Sequence, residues 1–283
     1  MSEACFIKGL YLVATPIGNL GDISARAVDV LNVADIIACE DTRNTKKLLT
    51  LLGITGKKLT AYHEHNADKV RPYILERLRN DTMIALVSDA GTPLVSDPGY
   101  RLVQDCIEQN IYVTAVPGAS AVLTALQLSG MPCHRFLFQG FLPPKTVARQ
   151  KELALLADIP ATLIFYESPQ RLEETLQDMT LVLGDRQAAV VREITKKFEQ
   201  TVRGTFSDLL KNYQENGFPK GEIVIVVSPP KQKNPTIDEI ENQLRQVLKK
   251  MSLKEAVAFV VKQTGETKKV VYQKALEIKN ADG

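Results

Sequence analysis

The sequence predicts an α/β chain of two domains, the first on a mainly parallel sheet and the second on a mixed sheet, followed by a small helical module. Three observations predict it. Apolar runs of four to eight residues alternate with helix-period segments through the first 130 residues, the pattern of parallel strands joined by covering helices. Around "GMPCHRF" the rhythm resets, and the strand-like runs that follow lie close enough together for antiparallel pairing. "SPPKQKNPT" (Ser228 to Thr236) carries three Pro and two Lys and reads as a linker, beyond which all spacing is helical. These breaks set domains at 1–130, 131–230 and 236–283.

The first-domain strands are "GLYLVATP", "DIIACED", "KLTAYHE", "MIALVSD" and "YVTAVPG". Between them "SARAVDVLNVA", "TRNTKKLLTLLG", "KVRPYILERLR" and "GYRLVQDCIEQ" repeat apolar residues at three- and four-residue spacing, as an amphipathic helix does. The second series is "FLFQGF", "ATLIFYES", "AAVVREIT", "TVRGTF" and "GEIVIVVSPP". In the tail, "IDEIENQLRQVLKKM", "SLKEAVAFVVKQTG" and "TKKVVYQKALEIK" read as helices. Ser252 with Glu255 three residues on forms a capping box, Gly265 ends that helix and Thr267 caps the next. Two short helices around a Gly turn suggest a helix-turn-helix. The first is longer than a DNA reader usually has, which favours an RNA-docking or packing role.

Composition excludes several classes. At 283 residues, 45% hydrophobic and 24% charged, the chain is an ordinary globular protein. No apolar run approaches the roughly 20 residues that span a bilayer, and "MSEACFIKG" lacks a signal-peptide pattern. Cys5, Cys39, Cys106 and Cys133 are scattered and only three His are present, so no disulfide framework and no metal site is expected, and a reducing cytoplasm fits. The net charge of +2 is uneven: from Pro229 onward eleven Lys/Arg face seven Asp/Glu, a surplus of +4, which leaves the first 228 residues at −2.

"VSDAGTPLVSDPG" (Val87 to Gly99) is an unusual exit from a buried strand, with two Asp, two Gly and two Pro between Asp89 and Gly99. Gly91 and Gly99 permit φ > 0 and close backbone approach, while Pro93 and Pro98 stiffen the loop before any ligand arrives. A tight strand-to-helix connection would explain this loop taken singly. However, "VATPIGNLGDIS" (Val13 to Ser24) and "AVPGASAVLTAL" (Ala115 to Leu126) repeat the device. Three such loops at the carboxyl edge of a parallel sheet make a crevice built from backbone, where open α/β sheets bind ligands. No G-x-G-x-x-G follows the first strand, and "GITGKKLT" fails as a phosphate loop, so neither a nicotinamide dinucleotide nor an NTP is indicated.

"LYLVATPIGNLGDIS", "ACEDTRNTKKLL", "YHEHN", "SDAGTPLVSDPG", "VPGASA", "FQGFLP", "FYESPQRL", "VREITKKFE" and "GEIVIVV" occur in the order that marks one family. Over residues 8 to 280 the chain resembles the ribosomal RNA small-subunit methyltransferase I family, itself similar to the tetrapyrrole methylases, whose two α/β domains clasp S-adenosylmethionine. The resemblance implies 2′-O-methylation of a cytidine ribose in the decoding region of small-subunit ribosomal RNA, within the assembled subunit, by a homodimer. It implies cofactor contacts at Pro16, Asp89, Ala90, Gly91, Val95, Ser120 and Ala121, with Glu167 and Ile194 from the second domain. Tetrapyrrole enzymes of the class carry a glycine-rich first loop and Gly-Asp-Pro in the second. Here "TPIGN" and "DAGTP" stand instead, which counts against a porphyrin-type substrate.

Methyl transfer to a ribose hydroxyl calls for in-line placement, and for a base or cationic groups that stabilise the developing alkoxide. Candidates cluster at Glu40, Asp41 and Arg43, at His63, Glu64 and His65, and at Arg192, Glu193 and Lys196, and the residues leave the base open among them. Asp22 is weaker, because "GDIS" also reads as a helix cap. RNA phosphates would be met by Arg43, by Lys145, Arg149 and Lys151 on the stiff "FLPPKTVARQKEL" prong, and by Lys268 and Lys269 in the tail. Two other readings remain on residues alone. A small-molecule or protein-side-chain methyltransferase would not need the basic prong and tail, and a non-catalytic RNA-binding protein would not bind S-adenosylmethionine.

Overall fold

In the computed structural model, which describes residues 6–231 and 237–281, the alternating N-terminal elements build one fully parallel sheet. The strands are β1 (Leu10–Val13), β2 (Ile36–Cys39), β3 (Lys58–Ala61), β4 (Ile84–Val87) and β5 (Val113–Val116). Their order across the sheet is β3-β2-β4-β1-β5. Burial follows that order. Central β4 ("IALV") and β2 ("IIAC") are buried at every position, whereas edge strand β3 ("KLTA") exposes Lys58. A strand covered on both faces must be apolar throughout, and a charge on the edge discourages further pairing.

Helices α1 (Ala25–Val33), α2 (Thr42–Leu51), α3 (Ala67–Arg79) and α4 (Tyr100–Glu108) cross between these strands, and α5 (Ala121–Ser129) follows β5. One face of the sheet packs Val13, Ile37 and Val87 against Val30 and Leu31 of α1. The other packs Leu10 and Leu86 against Ile74 of α3 and Leu102 of α4. Emptying one such position, as in Leu86→Ala, costs about 2–5 kcal/mol. Ser24, rather than Asp22, caps α1: its hydroxyl accepts from the Ala27 N–H at 3.1 Å.

The second series forms a mixed sheet. It comprises β6 (Phe136–Phe141), α6 (Thr146–Leu156), β7 (Thr162–Glu167), α7 (Leu172–Leu183), β8 (Gln187–Arg192), β9 (Gln200–Thr205), α8 (Phe206–Asn216) and β10 (Ile223–Val227). The order is β6-β7-β10-β8-β9, with β6 and β7 parallel and the remaining pairs antiparallel. Helices α6, α7 and α8 cover one face around Phe165, Leu176 and Phe206. The other face is covered by α5, whose Val122, Ala125 and Leu126 pack on Ile164, Val191 and Val224. That helix binds the two sheets into a single compact unit ending at Pro230.

A second compact unit begins at Lys231. Residues 232–236, most of the sequence-predicted linker, lie outside the described residues, as does Cys5. Helices α9 (Ile237–Leu248), α10 (Leu253–Thr264) and α11 (Lys268–Ala281) share a core of Ile240, Leu244, Val257, Val260, Val271 and Ala275. The Ser252–Glu255 capping box forms in both directions, and Gly265 closes α10 at φ +70°.

Candidate active site

Because β4, β1 and β5 are neighbours, the three Pro/Gly loops leave adjacent strand ends, where they are stitched together. The Thr15 N–H donates to the Gly91 carbonyl at 2.9 Å, and the Gly91 N–H returns a bond to the Thr15 carbonyl at 3.0 Å. Thr92 Oγ1 donates to the Ala119 carbonyl at 3.0 Å, tying the β4 loop to the β5 loop. Gly91 sits at φ +81°, and a Cβ there would stand 3.3 Å from Ile17 Cγ2. A side chain would therefore be strained and crowded, and glycine keeps this backbone bare.

These loops form one wall of a cavity of about 300 Å³. Ala90, Gly91, Val95, Ser120 and Ala121 supply the first wall, and Phe141, Tyr166, Glu167 and Glu222 the second. The second wall is made of side chains. Tyr166 packs edge-on against Phe138 at 4.9 Å and tilted against Phe141 at 5.5 Å. Burial pushes its phenol up to about 12. Glu167 is buried and fully engaged, accepting from Thr175 Oγ1 at 2.6 Å and from the Ser168 N–H at 2.8 Å.

A second, wider cavity of about 610 Å³ adjoins the first. Glu40, Tyr62, Glu64, Asp68, Arg71 and Arg101 line it, and Ser96 and Asp97 line both cavities. Burial raises the Glu40 carboxyl above the usual range; Asp89 adds to the rise and His63 opposes it. The same effect is stronger at Asp97. Burial, with help from Glu40 and Asp89 and against a bond from Ser88, carries it to about 6.

The structure sorts the sequence-predicted residues. Of the nine expected cofactor contacts, Ala90, Gly91, Val95, Ser120, Ala121 and Glu167 line the smaller cavity. The other three are not among its lining residues. Ile194 is buried in the apolar cluster with Ile17, and Pro16 precedes Ile17 in the chain. The Asp89 carboxylate accepts from the Asp41 N–H at 3.1 Å and from Asn44 Nδ2 at 2.7 Å, fastening the β4 loop to the start of α2.

Among the catalytic candidates, Glu40 and Glu64 share the wider cavity, and His63 precedes Glu64. The exposed Arg43 is paired with Asp41, whose carboxyl it draws down to about 2. Lys196 bonds Glu193 at 3.0 Å and Glu222 at 3.1 Å. Burial works against its charge, but these pairs outweigh it and raise its pKa above the usual lysine value. The side chain also lies on the β1 loop, since a Cβ on Gly18 would fall 2.4 Å from Lys196 Cγ. Arg192 is not brought to this site. It lines a separate cavity with Asn212, Tyr213 and Asn216 of α8.

Arg149, expected to meet RNA, is fully buried. Its Nε donates to Asp178 at 2.5 Å, and its remaining nitrogens bond Glu174 and the Pro144 carbonyl. The reason is periodic: on α6 it shares the inward face with Leu153 and Leu156, at i, i+4 and i+7. Lys145 and Lys151 remain exposed on the prong, as do Lys268 and Lys269 on α11.

Sequence reasoning missed Asp97, Tyr166 and Glu222. A strand's last aromatic beside Glu167 carried a weak signal for Tyr166. Asp97 was masked by its Pro, because Asp-Pro also reads as the start of a helix, although α4 begins only at Tyr100.

The two sheets of this compact unit share a cavity lined by residues from both halves. Residues 9–210 match the family of tetrapyrrole (corrin/porphyrin) methylases, and residues 234–279 match the RsmI C-terminal HTH domain. The fold is shared with uroporphyrin-III C-methyltransferase from Thermus thermophilus, solved in complex with S-adenosylhomocysteine, at a TM-score of 0.53 and 18% identity over 77% of this chain and 96% of that one. Far closer in sequence is ribosomal RNA small subunit methyltransferase I of Mesorhizobium japonicum, 48% identical over 97% of this chain and 93% of the relative. Its counterpart in Erythrobacter litoralis is also 48% identical, over 96% and 95%. The chain belongs to the ribosomal RNA small-subunit methyltransferase I family.

Proposed function

We propose that this protein transfers a methyl group from S-adenosylmethionine to the ribose 2′-hydroxyl of a cytidine in the decoding region of small-subunit ribosomal RNA. The observation that carries the cofactor assignment is the smaller cavity. Its first wall follows the main chain past a glycine where a side chain would be strained and crowded, and its second offers a ring and carboxylates. Main-chain groups suit the adenosine and amino-acid ends of the cofactor, and the Asp97 carboxylate in the lining suits a sulfonium cation, whereas Glu167 and Glu222 are paired with Arg171 and Lys196. S-adenosylmethionine, when bound, supplies an electrophilic methyl.

The chain's own residues do the rest. The loops after β1, β4 and β5 fix the cofactor end, Tyr166 walls it from the second sheet, and the wider cavity leaves room for a nucleotide turned out of its stack. Holding donor and acceptor in line can supply about 7–11 kcal/mol of the barrier lowering. Exposed Lys145 and Lys151 on the prong, and Lys268 and Lys269 on α11, would contact phosphates without reading sequence.

We infer a homodimer working in the cytoplasm on the assembled subunit; light scattering that reports a monomer at micromolar concentrations would contradict the dimer. The direct test incubates the protein with isolated small subunits and labelled S-adenosylmethionine, then analyses digested RNA by mass spectrometry. One 2′-O-methylcytidine is expected. Label on a tetrapyrrole or a protein side chain, with none on RNA, would refute the assignment. A truncation ending at Pro230 should bind S-adenosylmethionine normally, because the smaller cavity is complete without the tail. Its subunit binding should be weaker and less salt-sensitive, by about one unit of log–log slope for each phosphate it no longer neutralises.

A further inference from the structure

We propose that the separate cavity beside Arg192 is a phosphate subsite, which takes a backbone phosphate of the RNA strand next to the nucleotide being methylated. The proposal rests on the RNA substrate given above.

The chemistry of the lining points to an anion. Arg192 ends β8 and lines a cavity of about 500 Å³ with Gln200, Asn212, Tyr213 and Asn216. Among the described residues, those that line it include no carboxylate, and Arg192 is the one that carries a charge. The guanidinium makes a long bond from Nη1 to the Lys220 carbonyl at 3.5 Å, and its Nε is buried without a partner. The neighbouring Glu193 is already held by Lys196 at 3.0 Å and by the Glu222 N–H at 3.1 Å. A partly buried cation costs free energy unless an anion meets it. Asn216 Nδ2 donates to Asn212 Oδ1 at 2.9 Å, which uses that acceptor and leaves the Asn212 amide with donors to offer. A guanidinium fork beside amide donors fits phosphate oxygens.

The cavity is formed before any ligand arrives. Gly221 sits at φ +92° against Glu193, where a Cβ would fall 2.4 Å from Glu193 Cδ. The Gly217 N–H donates to the Tyr213 carbonyl at 2.8 Å, and the Phe218 ring packs on Tyr213 at 5.7 Å. These ties hold the segment 217–222 against the end of β8 and the last turn of α8. Donors fixed in this way need little ordering on binding.

Placement selects the RNA strand as the source of the phosphate. Arg192 is the register partner of Ile223 on β10, and Ile223 lines the smaller cavity. The segment leading into β10 walls both: Gly217, Phe218 and Pro219 line the Arg192 cavity, and Glu222 lines the smaller one. The two cavities therefore lie at the same end of the mixed sheet, on neighbouring strands, whose spacing is about 4.8 Å. A strand that presents a ribose to the cofactor brings its neighbouring phosphates to this end.

The test measures binding to small subunits as a function of salt for wild type, Arg192→Gln, Arg192→Lys and Asn212→Asp. Arg192→Gln keeps a donor for the Lys220 carbonyl but no charge. Its log–log salt slope should flatten by about one unit, and its affinity at physiological salt should fall about tenfold. Asn212→Asp puts a carboxylate into the cavity from α8, which neutralises Arg192 without emptying the site, and should flatten the slope equally. Arg192→Lys should recover the slope but only part of the affinity, because an ammonium lacks the planar fork. S-adenosylmethionine affinity by calorimetry should match wild type in all three. If wild type binds subunits and both neutralised variants keep its slope, the subsite falls alone. Weaker binding at an unchanged slope also overturns it, since the cavity then meets something other than a phosphate. If wild type neither binds nor methylates subunits, the substrate reading falls and takes this proposal with it.

Discussion

The two walls of the smaller cavity are built on opposite plans. The wall from the parallel sheet is backbone, with three loops from adjacent strands, a glycine at φ +81° and exchanged main-chain bonds between Thr15 and Gly91. The wall from the mixed sheet is side chain, with Tyr166 packed edge-on and tilted among Phe138 and Phe141 and Glu167 held by Thr175 and Ser168. A backbone wall tolerates few changes at its glycines but many elsewhere. A side-chain wall can be altered residue by residue, so the fit of the smaller cavity is more finely adjustable on the mixed-sheet side.

The largest effect is expected deep in the mixed-sheet half. Arg149→Ala leaves Asp178 buried without its cation and should cost about 3–5 kcal/mol of stability, measured by chemical denaturation. Lys145→Ala and Lys151→Ala should each change stability by less than about 0.5 kcal/mol. A soluble, fully stable Arg149→Ala protein would show that the second half does not depend on its side-chain ties.

Gly91→Val comes next. A β-branched residue at that φ and so close to Ile17 should lower S-adenosylmethionine affinity by about 100-fold or more, ~2.7 kcal/mol, while unfolding stays cooperative. Tyr166→Ala should weaken it only about tenfold, ~1.4 kcal/mol, since one ring is lost from a wall that otherwise remains. Calorimetry separates the two; equal losses would erase the distinction between the walls.

The smallest effect concerns pH. Asp97 has a folded pKa of about 6, above its unfolded value near 3.8. The native state therefore holds the proton longer, and stability falls as pH rises between those values. Above pH 6 the full penalty is present. Asp97→Asn should then be more stable than wild type at pH 7.5, by about 1 kcal/mol once solvent screening is allowed for. The difference should disappear below about pH 4, where the carboxyl is protonated in both states. Thermal melts at the two pH values measure it.

Legibility in the sequence follows the same division. Alternating buried strands and Pro/Gly loops placed the parallel sheet, the edge that carries the cavity and Gly91, because glycine and proline declare backbone constraints that no side chain can mimic. The mixed sheet was read from strand spacing, but the roles of its residues were not. Arg149 looked like a surface cation, and only its spacing to Leu153 and Leu156 hinted that α6 turns it inward. Arg192 was grouped with Lys196 by sequence proximity, although it lines a different cavity. Asp97, with Ser96, lines two cavities at once, a relation between distant segments that local sequence does not encode.

The plan of the cavity is tested most directly by hydrogen–deuterium exchange with and without S-adenosylhomocysteine. If the parallel-sheet wall holds the ligand through its main chain, amides in residues 88–99 and 117–121 should gain the strongest protection on binding. Amides of β7 around Tyr166 should gain less, and residues 237–281 should not change. Protection concentrated in β7 or in the tail, with the Gly91 loop unaffected, would contradict the backbone-built site.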